Sequence, residues 1–190
     1  MMMVEVTSVP SAALPVAELA DYLRLSSGFA DDGSQNARLE VCLRAACAAI
    51  EARTGKALFQ RDFALRIEAW DSVVALPIAP ASAVASVKVV SVGGDENVLA
   101  SSAYVLRPDT HRPKVASGVG AFPTMPTDGM AEIVFTAGFG VDWTAIPADL
   151  QQSVLALAGE YYTQDASAPM PAAVNALLAP YRPVRLGARG

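Results

Sequence analysis

Between residues 50 and 63 the apolar pattern of this chain changes period, and that change limits the folds open to it. Upstream, Leu39, Leu43, Ala46 and Ile50 recur at i, i+4, i+7 and i+11, forming one stripe on a helix spanning 35 to 53. Downstream, Phe63, Leu65 and Ile67 alternate with Ala64, Arg66 and Glu68, a strand with one face on a core. Helical spacing returns after Pro147, where Leu150, Val154, Leu157 and Tyr161 share a face. A chain that runs helices, strands, helices predicts an α+β fold, with a helical core built from both ends and a small, mostly antiparallel β-subdomain inserted between them.

The junction itself reads "EARTGKALFQ" and invites a nucleotide reading that fails on physical grounds. A phosphate loop needs G-x-x-x-x-G-K-[ST] between a strand and a following helix, so that backbone N–H groups face the phosphates. Here no glycine lies five residues before Gly55, Ala57 replaces the hydroxyl, and the helix precedes the loop. Gly55 reads as a helix stop, the left-handed residue just past the last turn, with Lys56 near the final carbonyls.

The rest of the chain follows the same plan. "LPVAELADYLRL" (14 to 25) predicts a short helix with Pro15 at its first position and Val16, Leu19 and Leu23 on one face. The polar break "SSGFADDGSQ" offers Asp32 or Ser34 as N-cap for the long helix, on which Glu40 stands four residues before Arg44. "SVVALPIAP" is a short strand ended by Pro77 and Pro80, and "AVASVKVVSVGGDENVLA" predicts a hairpin turning at Gly93-Gly94. "SAYVLRP" and "MAEIVFTAGFG" supply two further strands, separated by a long loop over 107 to 129. "PAAVNALLAPYR" predicts a last short helix, and "PVRLGARG" has no period. The expected organisation is one domain over 1 to 190: N-terminal helices at 12 to 58, a β-rich insertion at 62 to 140, C-terminal helices at 147 to 179, and an extended tail at 180 to 190.

Composition argues against most chemistries. Hydrophobic residues make up 53% and charged residues 17%, a balance that suggests surface reserved for protein partners. Apolar runs such as "AACAAI" fall far short of the ~20 residues of a membrane span. The start "MMMVEVTSVPSAALP" lacks a basic region and is no signal peptide, so synthesis in a cytoplasm is expected. A net charge of −5 disfavours a tight grip on nucleic acid. Cys42 and Cys47, five apart on one helix, read as small apolar core residues rather than a disulfide or zinc site. His111 is the single histidine and sits between prolines in a loop. Asp31-Asp32 suits helix capping better than a catalytic acid pair, and "AGFG" reads as the turn ending a strand. No G-x-S-x-G elbow is present. No catalytic residue, cofactor or metal ligand is assigned.

The order of segments carries more information than any one residue. "LPVAELADYLRL", the helix closing on "AAIEARTGKAL", "ALPIAPASAVASVKVV", "IVFTAGFG" leading to "IPADLQQSVLALAGEYY", and a terminal "VNALLAPYRPVRL" follow one another from about residue 12 to 186. In this order they resemble the head–tail adaptor (connector) family of tailed bacteriophages, prophages and gene transfer agents. The resemblance implies a non-enzymatic structural protein of the particle neck. Such a protein assembles as a ring of its own copies, commonly twelve, under the portal protein. It joins the portal to a stopper or tail-completion protein and lines the channel through which DNA leaves, without sequence-specific contact. Some members lack the β portion, which this chain retains. Leu178, Tyr181, Arg182, Arg185 and Leu186 match the C-terminal part that contacts the portal in such rings. The readings kept beside it are an assembly factor absent from the finished particle and a small hydrolase.

Overall fold

The computed structural model describes residues 1–25, 34–118, 120–163 and 170–182. The chain divides into two compact units. One is helical, Val9–Leu58 with Gly140–Gly190, and the other is built of strands, Met1–Ser8 with Phe59–Phe139.

The helical unit contains α1 (Val16–Tyr22), α2 (Ser34–Thr54), α3 (Ala148–Thr163) and α4 (Ala172–Leu178). Along α2, Leu39, Leu43, Ala46 and Ile50 are all at most 1% exposed, so the expected stripe is the buried face. It packs against α3, which contributes Leu150, Val154 and Leu157, while α1 lies on both and α4 lies on α3. Each fully buried leucine or isoleucine here contributes about 1.5–3 kcal/mol through the area it removes from water. Cys42 and Cys47 are buried thiols, in keeping with the apolar core role read from the sequence.

The ends of α2 are tied by polar contacts. At its start, Gln35 donates to the Tyr162 hydroxyl (3.3 Å), and Arg38 donates to the Tyr162 carbonyl (3.0 Å) with its guanidinium over the ring (4.5 Å). The first turn of α2 therefore meets the last turn of α3, and the two run antiparallel. Further along, Glu40 accepts from Ser11 (2.7 Å) and Arg44 (2.8 Å), and Arg44 also reaches the Val9 carbonyl (3.1 Å), fastening the segment before α1. The bonds from Ser11 and Arg44 hold Glu40 below its usual carboxylate range. At the other end α2 stops at Thr54, and Gly55 takes φ +66° with its N–H on the Glu51 carbonyl (2.8 Å). That is the left-handed closing bond expected of a helix-ending glycine. Lys56 is buried; its backbone N–H donates to Thr54 Oγ1, which itself donates back to Ile50. Pro15 precedes α1 as its cap residue rather than occupying the first helical position. The cap expected from Asp32 lies outside the described residues.

The strand unit holds β1 (Met2–Glu5), β2 (Arg61–Ile67), β3 (Val73–Ala75), β4 (Ala81–Val90), β5 (Glu96–Val98), β6 (Tyr104–Arg107), β7 (Lys114–Ser117) and β8 (Met130–Ala137). One antiparallel sheet runs β1-β2-β8-β4-β5 and a second runs β3-β7-β6. The expected hairpin is β4–β5, with Gly94 at φ +88° in its turn. Two strands were not expected. β1 is exposed along its whole length and shows no alternation, and β7 lies within the stretch read as a long loop.

In the larger sheet, period two sorts the two faces. Leu65, Ile133 and Val87 form one row across β2, β8 and β4, each fully buried, and Phe63 stacks on Phe135 at 5.7 Å. One residue along, on the opposite face, the row is Arg66, Glu132 and Lys88. Glu132 is 8% exposed and bridges Arg66 (2.6 Å) and Lys88 (3.0 Å), while Lys88 also holds Glu96 (2.8 Å). Burial pushes the Glu132 carboxyl up, but the bonds from Arg66 and Lys88 outweigh it and leave the group below its ordinary range. Where β8 ends, Gly138 takes φ +133° and a Cβ there would lie 2.4 Å from Gln60 Cα, so "AGFG" is a strand-ending turn that needs its first glycine.

Candidate docking site at the C-terminal helices

The C-terminal residues singled out in the sequence start on α4 and continue into a 3₁₀ turn at Ala179–Tyr181. Apolar spacing on α4 buries Val174 and Leu178, at 1% and 0% exposure. Its start is stabilised locally, as Asn175 bonds back to the Pro171 carbonyl through its N–H and to Met170 through its side chain. Pro180 then ends the helix, because a proline within the turn has no N–H to continue the ladder.

Tyr181 closes the arrangement. Its hydroxyl donates to Asp149 Oδ1 at 2.7 Å, fixing the turn after α4 to the first turn of α3. Burial, then the bond to Asp149, push the phenol up to about 12. Asp149 lies in the first turn of α3, where the helix dipole favours negative charge. Gln151 of the same turn donates to the Trp143 and Ile146 carbonyls, both at 2.9 Å, so the partner of Tyr181 stands on a fixed platform.

The five residues assigned to docking thus have different fates. Leu178 is inside the unit, its side chain taken up by the packing of α4. Tyr181 is half-buried and its hydroxyl is engaged internally. Arg182 is exposed and follows the turn directly. Arg185 and Leu186 lie outside the described residues. The outward side of the site is small and apolar, with Ala172, Ala173, Ala176, Ala179 and Pro180 all exposed. Sequence reasoning missed the Tyr181–Asp149 bond, since 32 residues separate the two and no pattern links them.

Other candidate chemistry stays dispersed. His111 is exposed in the β6–β7 connection. Asp31 and Asp32 lie outside the described residues. Among the described residues no group of three or more His, Cys, Asp or Glu could hold a metal, and no helix is long and apolar enough to cross a membrane.

Similarity to known structures is high and runs the length of the chain. A chain in the neck of an empty gene transfer agent particle, with C6 symmetry, superimposes with a TM-score of 0.91 at 46% identity, covering 100% of both chains. A chain of the native gene transfer agent virion gives 0.86 at 48% identity, again over 100% of both. The neck of the native particle with C12 symmetry gives 0.84 at 44% identity, over 100% of both. No family profile matches the chain, and no curated protein matches it.

Proposed function

Because the chain belongs to the head–tail adaptor (neck protein) family of gene transfer agents, we propose that it forms a ring of twelve copies beneath the portal and carries the DNA channel on toward the tail. It is a structural, non-enzymatic component of the particle neck. The observation that carries the reading is likeness over the full chain, at 44% to 48% identity, to chains of neck and virion structures, one of them with C12 symmetry. A cyclic ring needs two different faces on each copy, meeting head to tail until the rotation closes. An apolar chain with few charges supplies such faces at low desolvation cost.

The C-terminal segment is the portal-docking element in this proposal. α4 and the Tyr181 turn form its fixed base, Arg182 is exposed beside it, and Arg185 and Leu186 follow in sequence. Arginines suit forked bonds to portal carboxylates, and Leu186 suits an apolar pocket. Below the ring, the contact is with a stopper or tail-completion protein. Since Tyr181 belongs to the fold, the test removes 183 to 190 and leaves Arg182 in place. The truncated chain is expected to keep its melting temperature yet to be missing from purified particles, which fill with DNA but lack tails. Truncated chain at wild-type occupancy in the neck would move the portal contact elsewhere.

A further inference from the structure

Pairing of β6 with β7 creates a feature that the docking proposal does not use. The two strands place Arg107 directly opposite Lys114, and the loop between them adds Arg112. Like charges opposite one another on a hairpin are destabilising, and such positions ordinarily carry opposite charges or aromatic pairs. None of the three cations forms an ion pair among the described residues, and all three side chains are exposed. In a chain with 14 basic and 19 acidic residues, three of the basic ones stand within eight residues at one tip.

The tip is also built to hold its shape. Pro108 and Pro113 flank the turn, and proline restricts the conformations that must be frozen. Asp109 Oδ1 accepts from the N–H groups of His111 and Arg112, both at 2.7 Å. Those bonds, that to Arg112 first, hold the Asp109 carboxyl below its usual range. Attraction to Lys114 is a smaller cause, so the nearby acid mainly serves the backbone of the turn and the outward surface is left largely to the cations. Behind them Val74 and Val115 are buried on the inner side of the small sheet, which anchors the hairpin.

We propose that the β6–β7 tip contacts the phosphate backbone of double-stranded DNA through Arg107, Arg112 and Lys114, without reading sequence. The inference rests on the neck assignment and adds which residues meet the DNA. Phosphodiester DNA fits better than an acidic protein surface because residues 107 to 112 are all exposed and include no large apolar side chain. A protein contact of this size ordinarily has an apolar centre that excludes water. Long, hydrated cations with no fixed register suit a polyanion that moves past, since phosphate contacts position without specifying. Three such contacts per copy, against a net charge of −5, give points of contact and not a grip.

The test treats DNA-filled and empty particles with formaldehyde, digests them with nuclease and protease, and reads adducts by mass spectrometry. Nucleotide adducts are expected on Lys114 in filled particles and absent in empty ones. They are expected to fall several-fold in an Arg107→Ser/Arg112→Ser variant that enters the neck at normal occupancy. Equal labelling of Lys114 in filled and empty particles would overturn the inference, as would carbodiimide coupling of Lys114 to a carboxylate of another chain in place of DNA adducts. Recovery of the chain's other peptides from the same particles reports separately on the neck assignment. If they are missing, that assignment fails and takes the DNA contact with it.

Discussion

The helical unit and the strand unit spend their charged residues in opposite ways. In the helical unit Arg38, Glu40, Arg44 and Asp149 stand at element ends or bind the segments that approach them, while the core is mainly leucine, with isoleucine, valine, alanine and cysteine. In the strand unit one row of charges lies across the middle of the larger sheet, with Glu132 on the central strand β8 buried between Arg66 and Lys88. The helices therefore depend on apolar packing and are trimmed by polar contacts. The larger sheet depends on both of its faces, one apolar and one ionic. Helices close their own backbone ladder, whereas a sheet needs neighbours in register, and a charge row is one means of fixing which neighbour and which register.

The largest expected effect tests the apolar halves against each other. Leu43→Ala in α2 and Ile133→Ala in β8 both remove a side chain at 0% exposure. Each is expected to cost about 2–5 kcal/mol by loss of burial and creation of a cavity. Denaturant unfolding measures the loss, and hydrogen exchange shows whether protection is lost in α2 for the first variant and in β8 for the second. A cost under about 1 kcal/mol at either site would mean that unit is not held by its apolar core.

The ionic row should have an effect of intermediate size and a pH signature that the helical core lacks. Glu132→Gln keeps the shape, removes the charge, and leaves Arg66 and Lys88 facing a neutral group. The expected cost is about 1–2 kcal/mol, below that of a fully buried pair because both cations are partly exposed. With a folded pKa below the ordinary 4.5, the wild-type row contributes its full stability above that value. The contribution is lost as pH falls through the folded value. Stability curves of wild type and Glu132→Gln should therefore converge in acid. A constant gap down to pH 3 would show that the row acts through packing and not charge.

Tyr181→Phe is the smallest of the three, about 1 kcal/mol for one partly buried hydrogen bond. Its pH dependence has the opposite sense. The folded phenol is raised to about 12 from an ordinary 10.0, so its contribution is complete below pH 10 and is lost as pH rises through 12. Ultraviolet titration should find one of the five tyrosines ionising late in wild type, and that step should be missing in Tyr181→Phe. If all tyrosines titrate together near 10, the turn after α4 is not tied to α3.

The two units also differed in how readily the sequence disclosed them. Leu39, Leu43, Ala46 and Ile50 set α2 within a residue or so at each end, and Glu40–Arg44 forms as a pair at 2.8 Å. Helical order is local, so four apolar positions were enough. In the strand unit, Phe63, Leu65 and Ile67 placed β2, and Gly93-Gly94 placed the β4–β5 hairpin. β1 could not be placed because "MMVE" has no polar alternation and all four residues are exposed at a sheet edge. β7 could not be placed because "KVAS" is short and closed in by Pro113 and Gly118, so its identity as a strand comes from β3 and β6 on either side. The segment proposed for docking was legible as an apolar helix followed by prolines and arginines. That Leu178 faces inward and Tyr181 binds Asp149 depends on the arrangement of α3 and α4, which no spacing within the segment encodes.

The register of β2 against β8 has one more consequence. Arg61 and Ala137 are cross-strand partners, so the chain begins β2 and finishes β8 at neighbouring positions in the sheet. Paired residues of an antiparallel ladder have Cα atoms about 5 Å apart. The intervening 75 residues therefore form a loop whose two ends meet at a single doorway. A gene could gain or lose that whole passage by one in-frame event and need only a short bridge to close the gap. A lineage could then resize its neck protein without redrawing the sequence on either side.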